Sequence, residues 1–326
     1  MTATMAPAAP RRISLVLGSG GARGYAHIGV IEELRAQGYT IEAIAGSSMG
    51  ALVGGVYAAG KLEAYRDFVS PLQRLDVLRL VDWSWRGGGL IKGDRIGLEL
   101  RKLVGDVRIE DLPVRYTAVA VDLDAHREVW FSRGCLFDAI RASIAIPTVF
   151  RPHRYEGRLL VDGGLLNPLP VSPTLRDLTE ATIAVDVNAP AESLDDALPP
   201  AAASGAASAA ATTAASNGDA GHEAGHGPRK RRFAALLDAF AERHEKRAAE
   251  HDPGVIELFA RSLDVMQATM TRLKLAAQPP DLLITIPRNA SAFYEFYRAS
   301  ELIELGRLRT REALARWQPP SVRWRG

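Results

Sequence analysis

Three features of the sequence predict an α/β layered domain with a mostly parallel sheet. A short apolar run, Ile13–Leu17, ends in Gly18, as a buried parallel strand does, and a helix-patterned stretch follows at Tyr25–Gln37 with Ile28, Ile31 and Leu34 on one face and Gly38 at its end. The pattern then repeats, with Ile41–Ala45 as a strand and Met49–Ala59 as a helix stopped by Gly60. Further strand-like runs recur along the chain at Tyr116–Asp122, Glu128–Ser132, Arg158–Val161, Thr182–Val187 and Leu282–Ile286, with a short helix expected over Phe137–Ala142.

A chain of 326 residues suits either two domains or one α/β domain with additions. Residues 1–12 read as a disordered leader, because MTATMAPAAP carries neither charge nor periodicity. Arg11 and Arg12 read as the basic flank of the first strand. The apolar run behind them is too short for an export signal. Residues 189–228 read as a disordered insertion within a domain of residues 13–315, and residues 316–326 as a tail. Within the insertion, residues 201–220 hold 11 alanines and no Val, Ile, Leu, Met or aromatic side chain, so they have no face to dock. Two helical patterns follow, Phe233–Phe240 behind the basic run Arg229–Arg232, and Val255–Leu275, ended by Pro279 and Pro280.

Composition excludes several functions. Forty basic against 38 acidic residues give a net charge of +2, too little for a nucleic-acid binder that works by bulk charge. Cys135 is the one cysteine, which excludes an intrachain disulfide framework and a cysteine-cluster metal site. No EF-hand pattern occurs, and neither metal nor cofactor is expected. The longest uncharged stretch, Ala43–Gly60, is 18 residues with five glycines, and it reads as a buried strand–turn–helix rather than a membrane span. A cytoplasmic protein, able to touch the membrane periphery, is the expectation.

Three glycine-rich motifs carry the chemistry. Gly46-Ser47-Ser48-Met49-Gly50 is a GxSxG between an expected strand and an expected helix. A serine on so sharp a turn is held out of the sheet, the glycines remove side chains that would clash, and the helix N-terminus favours developing negative charge. The plain alternative is a Gly/Ser-rich turn. The loop Gly18-Ser19-Gly20-Gly21-Ala22-Arg23-Gly24 offers successive backbone N–H groups at a strand-to-helix junction, suited to an oxyanion or a phosphate. A dinucleotide fingerprint would need glycine where Arg23 stands, and the lysine of a phosphate-binding loop is missing. Leu159-Leu160-Val161-Asp162-Gly163-Gly164 sets a carboxylate directly after a strand. Standing alone it would read as an Asx turn.

A nucleophilic serine needs a proton acceptor, usually histidine. After Asp162 the histidines are His222, His226, His244 and His251, in the insertion or in a charged helical stretch. His27, His126 and His153 precede the aspartate, out of the usual hydrolase order, and His27 reads as a packing or surface residue on the first helix. This distribution points to a Ser–Asp dyad.

In this order, GGARG, GSSMG and DGG resemble the patatin-like phospholipases, whose dyad lacks histidine. Further segments resemble the bacterial branch related to neuropathy target esterase: Gly89–Gly93, Ala142–Pro147, DGGLLNPLP, and Phe296–Arg298 through Leu302–Gly306. The resemblance runs from about residue 13 to 315 apart from the insertion. It implies a three-layer α/β/α fold with a mostly parallel sheet and hydrolysis of a fatty-acyl ester or phospholipid. It places the nucleophile on Ser48, the proton acceptor on Asp162 and the oxyanion hole on Gly20, Gly21, Ala22, Arg23 and Gly24. Gly46, Met49 and Gly50 form the nucleophile elbow, and Gly163 and Gly164 complete the aspartate motif. The donors expected for the oxyanion are the N–H groups of Gly20, Gly21 and Ala22, joined by that of Met49, while Arg23 orients the loop. The competing expectation is a lipid-binding or regulatory adaptor that keeps the fold. The basic run and apolar stripe of Arg229–Arg247 suit reversible contact with an anionic membrane, or equally packing on the protein's own core.

Overall fold

The computed structural model describes residues 11–80, 89–91, 94–192 and 255–318. Most of the leader, most of the Ala-rich insertion, the Arg229–Arg247 segment and residues 319–326 lie outside them, as do the expectations placed there. The chain divides into a unit of Met1–Pro199 and Ser262–Gly326 and a second unit of Pro200–Arg261, whose described part is the opening turns of one helix.

The strands in chain order are β1 (Arg11–Leu17), β2 (Tyr39–Ser47), β3 (Gly89–Ile91), β4 (Arg115–Asp122), β5 (Arg127–Phe131), β6 (Thr148–Phe150), β7 (His153–Tyr155), β8 (Arg158–Asp162), β9 (Ala181–Ala189) and β10 (Leu282–Pro287). The helices are α1 (Ala26–Ala36), α2 (Met49–Ala58), α3 (Leu62–Val69), α4 (Arg74–Leu80), α5 (Asp94–Val104), α6 (Leu136–Ser143), α7 (Val255–Ala277) and α8 (Ala299–Arg316). The main sheet runs β10-β9-β1-β2-β4-β8-β7, with β5 also on β4. The first five of these strands are mutually parallel, and β5, β7 and β8 pair antiparallel. β3 and β6 form a separate parallel pair.

This is the expected α/β/α fold with a mostly parallel sheet. Ile13, Leu15 and Leu17 of β1 alternate with buried Ser14 and Val16, because helices cover both faces of a central parallel strand. α1 lies against α8, where two glycines let the backbones meet. A Cβ on Gly29 would strike the Ile303 carbonyl, and one on Gly306 would strike that of Ala26. Gly306→Val is therefore expected to lower the melting temperature by about 5 °C or more through overpacking. A shift within about 1 °C would contradict the contact.

Several boundaries differ from expectation. β1 begins at Arg11, paired with Tyr39, so Arg11 and Arg12 belong to the first strand and not to the expected leader. β9 runs through Ala189, and Glu192 is held by Asn289 in both directions and by Arg309 at 2.5 Å, so residues 189–192 belong to the fold rather than to the insertion. Arg316 still belongs to α8, and the Trp317 ring lies 6.2 Å from that of Tyr39. The first expected helix opens with a 3-10 turn, Gly21–Tyr25, before α1.

Candidate active site

The sheet register brings the two expected catalytic residues together. β2 pairs Ser47 with Val119, and the next residue of β4, Ala120, pairs with Asp162 at the end of β8. β5 overlaps both partners along β4, and a strand has only two edges. β2 and β8 therefore share one edge. Where β2 turns away, β8 takes over within one residue.

At that handover Ser48 adopts φ 54° and ψ −124°, in the sparsely populated left-handed half of backbone space. Such a conformation costs about 1–3 kcal/mol and persists only where its surroundings impose it. Here they do. The Ser48 N–H donates to Ser143 Oγ at 2.9 Å, and Ser143 Oγ donates to the Val119 carbonyl at 2.6 Å. Ser47 Oγ donates to the Asn167 carbonyl at 2.6 Å. The motif glycines permit the turn: a Cβ on Gly46 would strike the Gly50 backbone, and one on Gly50 the Leu17 carbonyl. Met49 opens α2, with its Cβ against Gly24.

Asp162 is buried, 3% exposed. Its Oδ1 accepts the Gly164 N–H at 2.7 Å, while its buried Oδ2 has no hydrogen-bond partner. Burial pushes the carboxyl pKa up to about 7, against the smaller opposing pulls of the Ser48 hydroxyl and the Gly164 N–H. Gly163 lies where a Cβ would strike the Val119 carbonyl, so the chain can leave β8 only as glycine.

The glycine loop follows β1 at the point where the sheet runs outward to β2 on one side and β9 on the other, the usual ligand-binding crevice of such sheets. Its donors are not all free, which corrects the expectation for Ala22. The Ala22 N–H donates to the Phe293 carbonyl at 2.8 Å, because the 3-10 turn docks on the segment after β10. The Gly20 and Gly21 N–H groups bond to no strand or loop carbonyl among the described residues. The Arg23 side chain, expected to orient the loop, is taken up by contacts within the protein. It is buried, and its guanidinium is engaged by Val187 O at 3.0 Å, Ser291 O at 3.1 Å, Arg288 O at 3.4 Å, Asn188 Oδ1 at 2.6 Å and Asp264 Oδ1 at 3.3 Å. It staples the loop to β9, to α7 and to the segment after β10.

Among the described residues no histidine is hydrogen-bonded to Ser48 or Asp162. His27 is fully buried on α1, its Nε2 2.8 Å from the Gly18 carbonyl, and burial lowers its pKa to about 4, so it is neutral and donates there. His153 sits beside Asp138 at 3.3 Å. Also among the described residues, no group of three or more His, Cys, Asp or Glu side chains is placed to hold a metal ion, and no helix is long and apolar enough to cross a membrane.

Sequence reading gave no site role to four residues around the candidate site: Ser143 and Asn167, which lie in segments of the family resemblance, and Asn188 and Gln267, which lie in none. Asn167 lends its carbonyl to Ser47, and its Nδ2 donates to Glu128 Oε2 at 2.9 Å. Gln267 of α7 accepts from Ser19 Oγ at 3.0 Å and lies beside Gly164. Ser143 closes α6, Asn167 follows β8, Asn188 lies near the end of β9 and Gln267 sits on α7, so only the tertiary fold brings them to one place.

A family model of patatin-like phospholipases matches residues 15–175. Over 93% of its length this chain is 42% identical to an NTE family protein of Mycobacterium tuberculosis, covering 91% of that protein. The chain belongs to the patatin-like phospholipases, lipid hydrolases, in their NTE branch. Lysophospholipase NTE1 of Saccharomyces cerevisiae is 32% identical over 57% of this chain, a match that spans 11% of the yeast protein.

Proposed function

We propose that this protein is a serine acyl hydrolase that cleaves fatty-acyl esters of the lysophospholipid or phospholipid class through a Ser48–Asp162 dyad and an acyl-enzyme. The observation that carries the reading is a serine forced into a strained elbow next to a buried carboxylate whose Oδ2 is unpartnered. Ser48 Oγ attacks the acyl carbonyl as Asp162 Oδ2 takes its proton. The carbonyl oxygen gains negative charge and is held by the Gly20 and Gly21 N–H groups, with the Met49 N–H at the start of α2. Collapse expels the alcohol, which takes the proton from Asp162. A water molecule then gives a proton to Asp162 as its oxygen attacks the acyl carbon, and collapse releases the fatty acid while Asp162 returns that proton to Ser48 Oγ.

A free aspartate is a poor base at neutral pH, and burial is what makes Asp162 useful. A carboxyl with a pKa near 7 is about half ionised at neutral pH and is matched in strength to its task. The active form is the carboxylate, so kcat/KM should rise with pH through an inflection near 7 and level off above it. A pH profile on an uncharged ester checks this, and a flat rate down to pH 5 would contradict it. Turnover of p-nitrophenyl esters, lysophospholipids and phospholipids by the full chain tests the function. Failure on every ester, with Ser48 unreactive, would refute it.

A further inference from the structure

Asn188 stands at the end of β9 and bonds in both polarities. Its Oδ1 accepts from Arg23 at 2.6 Å, and its Nδ2 donates to the Ser19 carbonyl at 2.6 Å. Arginine has no acceptor, so the guanidinium fixes which end of the amide faces which neighbour. Asn188 is 7% exposed, and its own N–H donates to Asp186 Oδ1 at 2.9 Å, so it has little freedom to turn.

The Ser19 carbonyl belongs to the peptide unit whose N–H is that of Gly20. In a trans peptide the two groups point in opposite directions. Holding the carbonyl on Asn188 therefore turns the Gly20 N–H to the other side, where no strand or loop carbonyl takes it among the described residues. The preceding peptide is pinned at both ends. His27 holds the Gly18 carbonyl at 2.8 Å, and the Ser19 N–H donates to the Pro168 carbonyl at 2.8 Å. Gly20 itself presses on β9, since a Cβ there would strike Val187. The loop is thus fixed up to Ser19, and Asn188 sets the direction of the next peptide.

We infer that Asn188 is a positioning residue that aims the Gly20 N–H at the developing oxyanion, an inference that rests on the hydrolase reading above. The position needs an acceptor for Arg23 and a donor for Ser19 together. Aspartate supplies the first without the second and sets a carboxylate oxygen against the Ser19 carbonyl.

Asn188→Asp separates this role from a merely structural one. It keeps the Arg23 contact, so the melting temperature should stay within a few degrees of wild type. Its kcat on a p-nitrophenyl ester should fall about 10²–10³-fold, the usual loss for one oxyanion donor, with KM within about threefold. The affinity for an alkyl trifluoromethyl ketone, which forms a charged adduct on serine, should fall by the same factor as kcat/KM. Asn188→Ala, which frees the carbonyl without repelling it, should lose less kcat than Asn188→Asp. In wild type labelled with ¹⁵N-glycine, the Gly20 amide proton should move downfield when the fluorophosphonate adduct forms. Wild-type kcat in Asn188→Asp, or a fall in kcat with undiminished ketone affinity, overturns the inference. A Gly20 amide that stays in place overturns it whatever the variants' stability. Active wild type with unimpaired Asn188→Asp refutes only the role of Asn188, whereas wild type that turns over no ester and takes no phosphonate refutes the hydrolase reading.

Discussion

Asp162→Asn should remove ester turnover and at the same time make the protein more stable at alkaline pH. The carboxyl is raised by burial from 3.8 to about 7, so the folded state holds its proton more tightly than the unfolded chain does. Its contribution to stability is therefore fully present below about pH 4, declines as pH rises towards 7, and is lost above that. Three pKa units correspond to roughly 4 kcal/mol, an order of magnitude for what ionised Asp162 costs the fold. Asparagine keeps an oxygen for the Gly164 N–H and carries no charge to desolvate. Its melting temperature should exceed that of wild type by about 5–10 °C at pH 8 and converge on it near pH 4. Turnover should fall about 10⁴-fold, since the amide cannot accept the serine proton. Paired melting curves and initial rates across pH check both halves. An equal melting temperature at pH 8, or retained turnover, would contradict the assignment.

Ser48→Ala should lower turnover by about 10⁴–10⁶-fold, because the serine and its base act as one unit. Alanine retains the Cβ, the elbow and the Ser143 contact to the backbone N–H, so the fold should persist. Progress curves at high enzyme concentration, with melting as control, measure the loss. Residual activity above a few per cent of wild type would place the nucleophile elsewhere.

Much of this site could be read from local sequence. GSSMG between an apolar run and a helical pattern gave the elbow, since a strained serine needs glycine neighbours wherever it occurs. β1, β2, β4, β9 and β10 were legible because buried parallel strands are continuous apolar runs. α3, α4 and α5 were not anticipated, and neither were the three-residue strands β3, β6 and β7. Those strands are too short to show a period. The boundary at residue 189 was missed because Asn188-Ala189-Pro190 is small and polar like the insertion beyond it, while its fixation comes from Arg23 and from Asn289, more than 90 residues away. The glycine loop was recognised as a source of N–H donors. Which of them are free depends on Phe293, on a segment no local pattern connects to the loop.

The most direct test of the Ser48–Asp162 pair is the site and rate of fluorophosphonate labelling in the full chain. Peptide mapping should place a single adduct on Ser48, formed at a rate that rises with pH through about 7, and Asp162→Asn should label at least about 100-fold more slowly. Esterase activity with the adduct on another serine, or Ser48 labelling that is indifferent to Asp162→Asn, would contradict the account.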